Sequence, residues 1–336
     1  MIPVNASIWQ TETWQQQMRH LIRDPQELMR RLELKSEAEP ELAAALKQFP
    51  LRVPEAFVAK MTKGNWQDPL LLQVLPQGQE ALPQPGYSDD PLEEKTANPV
   101  PGLIHKYPSR VLLITSPACA INCRYCFRRS FPYQDNIPGQ QDWQHAIDYI
   151  AQRPDVSEVI LSGGDPLVAN DRALQQLIER LAQIPQLTTL RLHTRLPLVM
   201  PARITPELVD ILTATRLQTV MVVHCNHANE LDDATASAFR LLTSNGVSLL
   251  NQSVLLANIN DNAAALGSLM RKLFSQNVLP YYIHLLDKVT GAAHFEVSEA
   301  RGIELLTALR ASLPGYLVPR LVREEPGKTS KTPIAL

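Results

Sequence analysis

The chain has 336 residues, of which 45% are hydrophobic, and a formal net charge of −2. These values are ordinary for a globular protein, and the length allows two domains or one large α/β barrel with an attachment. With no basic run, the composition argues against a nucleic-acid surface. There is no run of about 18 apolar residues that could span a bilayer, and the N-terminus lacks the pattern of a secretory signal. We therefore expect a cytoplasmic protein with neither a nucleic-acid nor a membrane partner.

Residues 1–99 are predicted to form a helical region followed by a connecting arm. The segment 13–34 has helical apolar spacing, with Asp24 and Pro25 marking a break or a helix start. Helical spacing continues through 40–49 and 54–61. Residues 75–102 are rich in proline, glycine and charge, which indicates a long irregular connection. This arm is either a lid or linker with a functional role, or a plain surface loop.

Residues 100–315 contain six strand-like apolar runs, and most of these runs are followed by an amphipathic helical segment. The runs are RVLLITS (110–116), EVILSG (158–163), TLRLHTR (189–195), QTVMVVHC (218–225), VSLLNQSVLL (247–256) and LPYYIHLLD (279–287). This alternation predicts βαβ units and a parallel sheet. Six units rather than eight fit an incomplete barrel or a doubly wound open sheet.

Polar side chains gather at or near the carboxyl ends of these runs. They are Ser162, His193, Arg195, His224, Gln252 and Asp287. Barrel and open-sheet enzymes place their chemistry at this edge of the sheet. We therefore expect the functional site there, although any one of these residues could simply cap a helix.

Three of the four cysteines lie directly after the first predicted strand, in the segment ACAINCRYCFRR. Cys119, Cys123 and Cys126 have the spacing C-x3-C-x2-C. Thiolates at this density suit zinc or an iron–sulfur cluster. Zinc sites usually add a second ligand pair, which this chain lacks, and Cys225 is expected to be a buried apolar residue. Three thiolates on a 4Fe–4S cluster would leave one iron open to an external ligand, so we favour the cluster.

The segment LSGGDP follows the second predicted strand and contains Ser162, Gly163, Gly164 and Asp165. Its glycines could expose backbone groups at the strand end, or they could form a tight strand-to-helix turn. Because the cysteines lie one strand earlier, we expect this segment to contact the same cofactors.

Together these motifs resemble those of the lysine 2,3-aminomutase family of the radical S-adenosylmethionine (SAM) superfamily. The resemblance extends over about residues 102–333 and includes GLIHKYPSRVLLITSPACAINCRYCFRR, LSGGDPL, HANE, LLNQSVLL, YYIHLLDKVTGAAHF and GYLVPRLVREEPGKTSKTP. It implies an α/β fold with an incomplete (β/α)6 radical-SAM barrel over 100–315, an N-terminal helical region over 1–99, and a C-terminal cofactor-binding segment over 316–336. The likeness is strongest to the short bacterial type, which makes β-lysine for modification of elongation factor P together with a lysyl ligase. Longer relatives carry a cysteine-rich zinc tail that helps oligomerisation, and this chain does not.

The family uses a 4Fe–4S cluster, SAM and pyridoxal 5′-phosphate (PLP). PLP needs a lysine amine for its Schiff base. Lys328 and Lys331 both qualify by chemistry, and the family pattern, a lysine directly before Thr-Pro, selects Lys331. The resemblance also brings Tyr107 and Arg110 near PLP, with Arg110 suited to its phosphate. His224 and Gln252 are expected to contact SAM, as are residues 162–165.

L-Lysine is the implied substrate, and it is a dipolar amino acid with a distant ammonium group. Arg128 matches the family residue that binds the carboxylate, and Asp287 and Glu324 match the two acceptors of the ε-ammonium. Glu324 stands where longer relatives have Asp, and Ser130 replaces a third arginine of those relatives, so substrate preference could differ. The implied reaction uses a 5′-deoxyadenosyl radical and PLP to convert L-α-lysine to β-lysine.

Two alternatives remain at this point. The chain could be a radical SAM and PLP aminomutase for another amino acid such as glutamate, although two acidic residues would repel a substrate side-chain carboxylate. It could instead be a zinc-stabilised module without enzymatic activity.

Overall fold

A computed structural model of the protein describes residues 8–35, 40–136 and 143–335. Within them lies one nine-stranded sheet whose strand order follows the chain from β1 to β9. Strands β2 to β8 run parallel, and β1 and β9 pair antiparallel with the two ends of that array. The strands are β1 (Leu103–Tyr107), β2 (Arg110–Ser116), β3 (Glu158–Gly163), β4 (Thr189–Thr194), β5 (Gln218–His224), β6 (Ser248–Val254), β7 (Leu279–His284), β8 (Arg320–Arg323) and β9 (Thr332–Pro333).

This order confirms the predicted incomplete barrel. A doubly wound sheet reverses its strand order at a switch point, whereas each strand here lies beside its neighbour in sequence. All six predicted strands are present as β2 to β7. Strands β1, β8 and β9 were not predicted, and β8 adds a seventh parallel strand next to β7.

Four short α-helices lie in the described part of the N-terminal region, and further helices follow most of the parallel strands. They are α1 (Trp14–Arg19), α2 (Pro25–Arg31), α3 (Pro40–Gln48), α4 (Glu55–Val58), α5 (Trp143–Ala151), α6 (Asp171–Ala182), α7 (Leu196–Val199), α8 (Pro206–Thr213), α9 (Asp233–Ser244), α10 (Ala263–Ser275) and α11 (Glu299–Ser312). The predicted helix start at Asp24 and Pro25 is confirmed, because the Asp24 side chain accepts from the Gln26 amide at the head of α2. Among the described residues, no helix is both long and apolar enough to cross a membrane.

Side-chain caps fix where several of the barrel helices begin. Asn170, Asp232, Asn262 and Ser298 each accept a hydrogen bond from the third amide of α6, α9, α10 and α11 respectively. Each cap satisfies a backbone donor that has no partner within the helix. The caps therefore set the length of the loops that follow the carboxyl ends of the strands, where the site lies.

Strand β4 alternates between a dry face and a wetter one. In β4, Leu190, Leu192 and Thr194 are buried, while Arg191 and His193 on the other face keep partial exposure. Since side chains of a strand alternate between the two faces of a sheet, the second set points into the barrel. The interior near the strand ends is consequently lined by polar groups and is available to ligands.

Candidate active site

The cysteine loop follows β2 and is held in place by the N-terminal region. The Asn122 amide donates to the Arg52 carbonyl at 2.9 Å, and the Arg124 amide donates to the Gln73 carbonyl at 2.9 Å. Arg52 Nη1 in turn donates to the Cys119 carbonyl at 2.9 Å. These bonds fix the loop backbone, so the positions of the three thiols depend on contacts with residues far away in sequence.

The thiols of Cys119, Cys123 and Cys126 are free, partly buried and close enough to influence one another. Burial and the neighbouring thiols raise the pKa of Cys119 well above its usual value, and the same causes raise that of Cys126 to about 11. Bound iron would reverse this preference, because a coordinating metal ion deprotonates the thiol. Within the described residues, no group of three or more His, Cys, Asp or Glu side chains forms a site for a metal ion. Three free thiols on one short loop are the kind of donor set that binds an iron–sulfur cluster.

Gly163 and Gly164 pack the end of β3 against the start of the cysteine loop. The Gly164 amide donates to the Ser116 carbonyl at 2.7 Å. A Cβ atom on Gly164 would lie 2.4 Å from the Ala118 carbonyl oxygen, and one on Gly163 would lie 2.5 Å from that of Ser116. Gly163 also has φ of +121°, which other residues rarely adopt. The glycines therefore permit a close backbone approach that places the two loops together.

Asp165 is buried, and its hydrogen bonds connect the ends of β3 and β4. Its carboxylate accepts hydrogen bonds from the Leu167 amide, the Thr194 hydroxyl, and the amides of Arg195 and Leu196 at 2.7–3.2 Å. Burial raises the pKa of Asp165 to about 6 despite these donors. Asp165 follows the glycines because its carboxylate joins the ends of β3 and β4 through these hydrogen bonds. The predicted contact of Asp165 with SAM stays a prediction.

Arg128 lies buried between the arm and the end of β3. Its Nε and Nη2 donate to the two oxygens of Glu94 at 2.6 and 2.8 Å, and Nη1 donates to the Ser162 hydroxyl at 3.1 Å. Burial opposes the cation, but the Glu94 carboxylate outweighs it and raises the pKa of Arg128. Of five guanidinium N–H groups, these bonds leave one on Nη1 and one on Nη2 that can donate to a further acceptor.

Glu324, at the end of β8, lies among three donors. Lys106 Nζ is 3.2 Å and the Tyr107 hydroxyl 3.0 Å from its Oε1, and Lys331 forms an ion pair with its Oε2. Burial opposes its charge, yet Lys331 and Lys106 hold the pKa of Glu324 well below the usual range. Lys106 also lies 3.1 Å from Glu94, so one continuous chain of opposite charges runs from Arg128 to Lys331.

Asp287 lies just beyond β7 and faces the same chain of charges. Burial raises the pKa of Asp287 to about 7, and the neighbouring Glu324 adds to this effect while Lys331 opposes it. Among the described residues, no hydrogen bond to the Asp287 carboxylate is present. Within the part of the chain that the structure describes, Asp287 therefore lacks a cationic partner in contact, unlike Glu94 and Glu324.

Three histidines at the ends of β4, β5 and β7 point into the same space. In His193, His224 and His284 the buried Nε2 atom has no hydrogen-bond partner among the described residues. Burial lowers the pKa of His224 to about 4 and those of the other two well below the usual value. The histidines are thus neutral, and Gln252 on β6 lies directly across from His224. Unpaired ring nitrogens of this kind fit a polar ligand.

Arg110, at the start of β2, is the remaining cation of this region. Its guanidinium lies 5.3 Å from the centre of the Tyr107 ring. Its buried Nε has no hydrogen-bond partner in the part of the chain that the structure describes. A partly buried cation with an open donor suits an anionic group such as a phosphate. Lys331 is partly buried beside this region, whereas Lys328 is exposed.

The arm is more than a surface loop, because it carries two buried acids that bind the arginines of the cysteine motif. Glu94 binds Arg128, and Glu80 binds Arg124 at 2.9 Å and Arg129 at 3.3 Å. Arg124 and Arg129 also lie over the Phe49 ring. The sequence analysis missed Glu80, Glu94 and Lys106 as parts of the site. The arm's high content of acids was visible, but nothing local in it indicated which acids are buried.

The structure brings together most of the predicted site residues. Those near the charge chain or the strand ends around it are Tyr107, Arg110, Arg128, Ser162, His224, Gln252, Asp287, Glu324 and Lys331. The three cysteines lie on the adjoining loop, next to Gly163, Gly164 and Asp165. Cys225 is fully buried, as expected.

Comparisons with known proteins agree with this arrangement. Residues 113–248 match the model of the radical SAM superfamily. The chain is 48% identical over 332 residues to the L-lysine 2,3-aminomutase of Haemophilus influenzae, covering 99% of this chain and 98% of that relative. It is 49% identical over 328 residues to the enzyme of the same name from Escherichia coli K12, with 97% and 95% covered. It is 38% identical over 323 residues to the L-lysine 2,3-aminomutase of Clostridium subterminale, covering 96% of this chain and 77% of that relative.

Proposed function

Because the chain belongs to the lysine 2,3-aminomutase family, a family of radical SAM isomerases, we propose that it converts L-α-lysine to β-lysine by moving the amino group from C2 to C3. Membership of the superfamily implies a 4Fe–4S cluster and SAM. The observation that best supports lysine as substrate is one connected set of charges that runs from Arg128 to Lys331, with the Asp287 carboxylate beside its Glu324–Lys331 end.

The cluster is proposed to bind to Cys119, Cys123 and Cys126. Their thiols are free, they share one short loop, and the backbone of that loop is fixed from the N-terminal side. When bound, the cluster and SAM supply the radical that removes a hydrogen atom, and PLP supplies the conjugated system that lets the amino group move. The protein's own part is to bind, orient and shield the reactants.

SAM is proposed to lie against the ends of β3, β5 and β6. The segment 162–165 packs directly on the cysteine loop, so a ligand on the cluster would meet it. The neutral His224 and the neighbouring Gln252 have polar atoms directed to the same side. Their assignment as SAM contacts depends on this placement together with the family resemblance.

PLP is proposed to bind through Lys331, with Arg110 at its phosphate and Tyr107 beside it. In support, Lys331 forms an ion pair with Glu324, and the buried Nε of Arg110 has no hydrogen-bond partner among the described residues. Lys331 Nζ must leave Glu324 to bond to the cofactor. Glu324 then keeps Lys106 and Tyr107 as partners, so its charge stays compensated.

Lysine is proposed to bind with its α-carboxylate on the free fork of Arg128 and its ε-ammonium on Asp287. Glu94 occupies the Nε edge of Arg128, and this leaves the terminal fork for the substrate. Asp287 has no cationic partner in contact among the described residues, and an incoming ammonium would stabilise its charged form. Glu324 already contacts two lysines, so we propose that its share in holding the ε-ammonium is smaller than that of Asp287.

We further propose that the β-lysine produced serves modification of elongation factor P through its lysyl ligase, in the cytoplasm. This proposal depends on the resemblance of the motifs to the short bacterial type. Deletion of the gene should remove β-lysyl groups from elongation factor P, as read by peptide mass spectrometry. Persistence of those groups would contradict this role while leaving the lysine reaction intact.

The reaction itself is tested with anaerobically reconstituted protein, L-lysine, SAM, PLP and a reductant, followed by chiral chromatography. We expect β-lysine to accumulate to an equilibrium mixture with lysine. Borohydride reduction of the same protein should fix the phosphopyridoxyl group on Lys331, as seen by peptide mapping. A label on Lys328 would contradict the cofactor assignment, and the absence of β-lysine would contradict the proposed function.

A further inference from the structure

Arg195 connects the end of β4 to the cysteine loop. Its Nη1 lies 2.8 Å from Cys123 Sγ, and its side chain is only 5% exposed. The other terminal nitrogen, Nη2, donates to Glu230 Oε2 at 2.9 Å and to Gln73 Oε1 at 2.6 Å. A buried cation thus touches the sulfur of one of the three predicted cluster ligands, and a buried carboxylate balances that cation on its far side.

This arrangement is rigid. The Arg195 amide donates to Asp165 at 2.8 Å, which fixes its backbone. Glu230 is fully buried, and its second oxygen accepts the amides of Asn226 at 2.8 Å and His227 at 3.0 Å. These contacts hold both charged side chains, and they direct the guanidinium at the Cys123 sulfur.

We propose that Arg195 and Glu230 form a pair that sets the reduction potential of the cluster, with Arg195 positioning Cys123 and raising the potential and Glu230 lowering it. This inference depends on the cluster of the proposed function. Hydrogen bonds to the ligand sulfurs, together with net charge, set the potentials of iron–sulfur clusters. Reduction adds one negative charge to the cluster, so a nearby cation stabilises the reduced form and a nearby anion destabilises it.

The test is a redox titration of the cluster, followed by electron paramagnetic resonance, on reconstituted protein without SAM or lysine. Arg195→Gln should shift the midpoint potential to a more negative value than in the wild type. Glu230→Gln should shift it to a more positive value. The opposite signs are the specific expectation, because general loosening of the loop would affect the two variants alike.

Three further variants separate this effect from damage to the fold. Arg195→Lys keeps the charge and should bring the potential back toward that of the wild type. The double variant Arg195→Gln/Glu230→Gln leaves no unpaired buried charge and should have a potential between those of the single variants. Arg191→Gln is the matched control, because it breaks another ion pair of β4, the one with Glu158 at the start of β3. Its potential should equal that of the wild type.

The outcomes divide clearly. Protein that binds no cluster under any condition would contradict the proposed function itself. The inference alone would be overturned if both Arg195→Gln and Glu230→Gln bind a full cluster but leave its potential unchanged. A shift of the potential in the same direction in both variants would also overturn it. An equal shift in Arg191→Gln would overturn it as well.

Discussion

Glu94 binds Arg128 along the Nε–Nη2 edge of the guanidinium, at 2.6 and 2.8 Å, and both side chains are buried. Glu94 belongs to the arm, whereas Arg128 belongs to the cysteine motif, so the contact joins two segments 34 residues apart. A bidentate pair of this kind fixes the plane of the guanidinium. The remaining N–H groups of Arg128 therefore point in a fixed direction. In the proposed function they bind the substrate carboxylate.

Replacement of Glu94 tests this positioning role. Glu94→Gln keeps the size but can accept from only one of the two N–H groups, so Arg128 should lose its fixed plane. Loss of one charge-assisted bond is worth roughly 1.5–3 kcal/mol, and we expect kcat/KM for lysine to fall about 10- to 150-fold, mainly through KM. Glu94→Asp should recover part of the loss. Glu158→Gln is the control for the general effect of losing an ion pair. An unchanged KM in Glu94→Gln would contradict the role of Glu94 in positioning Arg128.

Asp287→Asn should impair lysine selectively. The change removes the charge that is proposed to hold the ε-ammonium and keeps the shape. We expect kcat/KM for lysine to fall roughly 10- to 150-fold, while the value for norleucine, which lacks the ε-amine, should hardly change. Arg128→Ala should impair both compounds because both have an α-carboxylate. Equal use of lysine and norleucine by the wild type would show that the ammonium site is wrongly placed.

The pH dependence should report the same carboxylate. Burial and the neighbouring Glu324 raise the pKa of Asp287 to about 7, so this acid is largely protonated below that pH in the free protein. A cationic substrate binds best when Asp287 is ionised. We therefore expect kcat/KM for lysine to rise with pH up to about 7 and then level off. The rising limb should be absent in Asp287→Asn; if it persists there, it belongs to another group.

The cysteines can be separated by substitution. Cys119→Ala, Cys123→Ala and Cys126→Ala should each lose most of the iron and all of the activity, because each thiolate is a proposed direct ligand. Cys225→Ala is the matched control, since that thiol is fully buried elsewhere in the barrel. Iron and sulfide analysis after reconstitution decides the matter. An iron-replete Cys123→Ala beside a Cys225→Ala without iron would reverse the assignment.

The sequence was sufficient for the parts of the fold that have a local signal. The six strands β2 to β7 are long apolar runs between helical segments, and all six are present. Strand β8 has only four residues and carries an arginine at each end, while β9 has two residues. Such short segments become strands because a neighbouring strand is available to pair with them, and no periodicity shows this in advance.

The site, like the fold, contains parts with a local sequence signal and parts without one. The cysteine spacing and the Gly-Gly-Asp segment are local patterns, and the structure places the two side by side. The charge chain through Lys106, which joins Glu94 to Glu324, connects residues as far as 218 positions apart. A buried and an exposed lysine look identical in sequence. Their roles follow only from which acids the fold brings within reach.

The migration of the amino group is the central claim, and isotope coupling tests it most directly. Reconstituted protein is given L-lysine that carries ¹⁵N in the α-amino group and ¹³C at C3, together with SAM, PLP and a reductant under anaerobic conditions. We predict a new one-bond ¹³C–¹⁵N coupling in the NMR spectrum, because the labelled nitrogen becomes bonded to the labelled carbon. Consumption of lysine without this coupling would contradict the proposed migration of the amino group. Failure to consume lysine, by protein with a full cluster and PLP on Lys331, would contradict it as well.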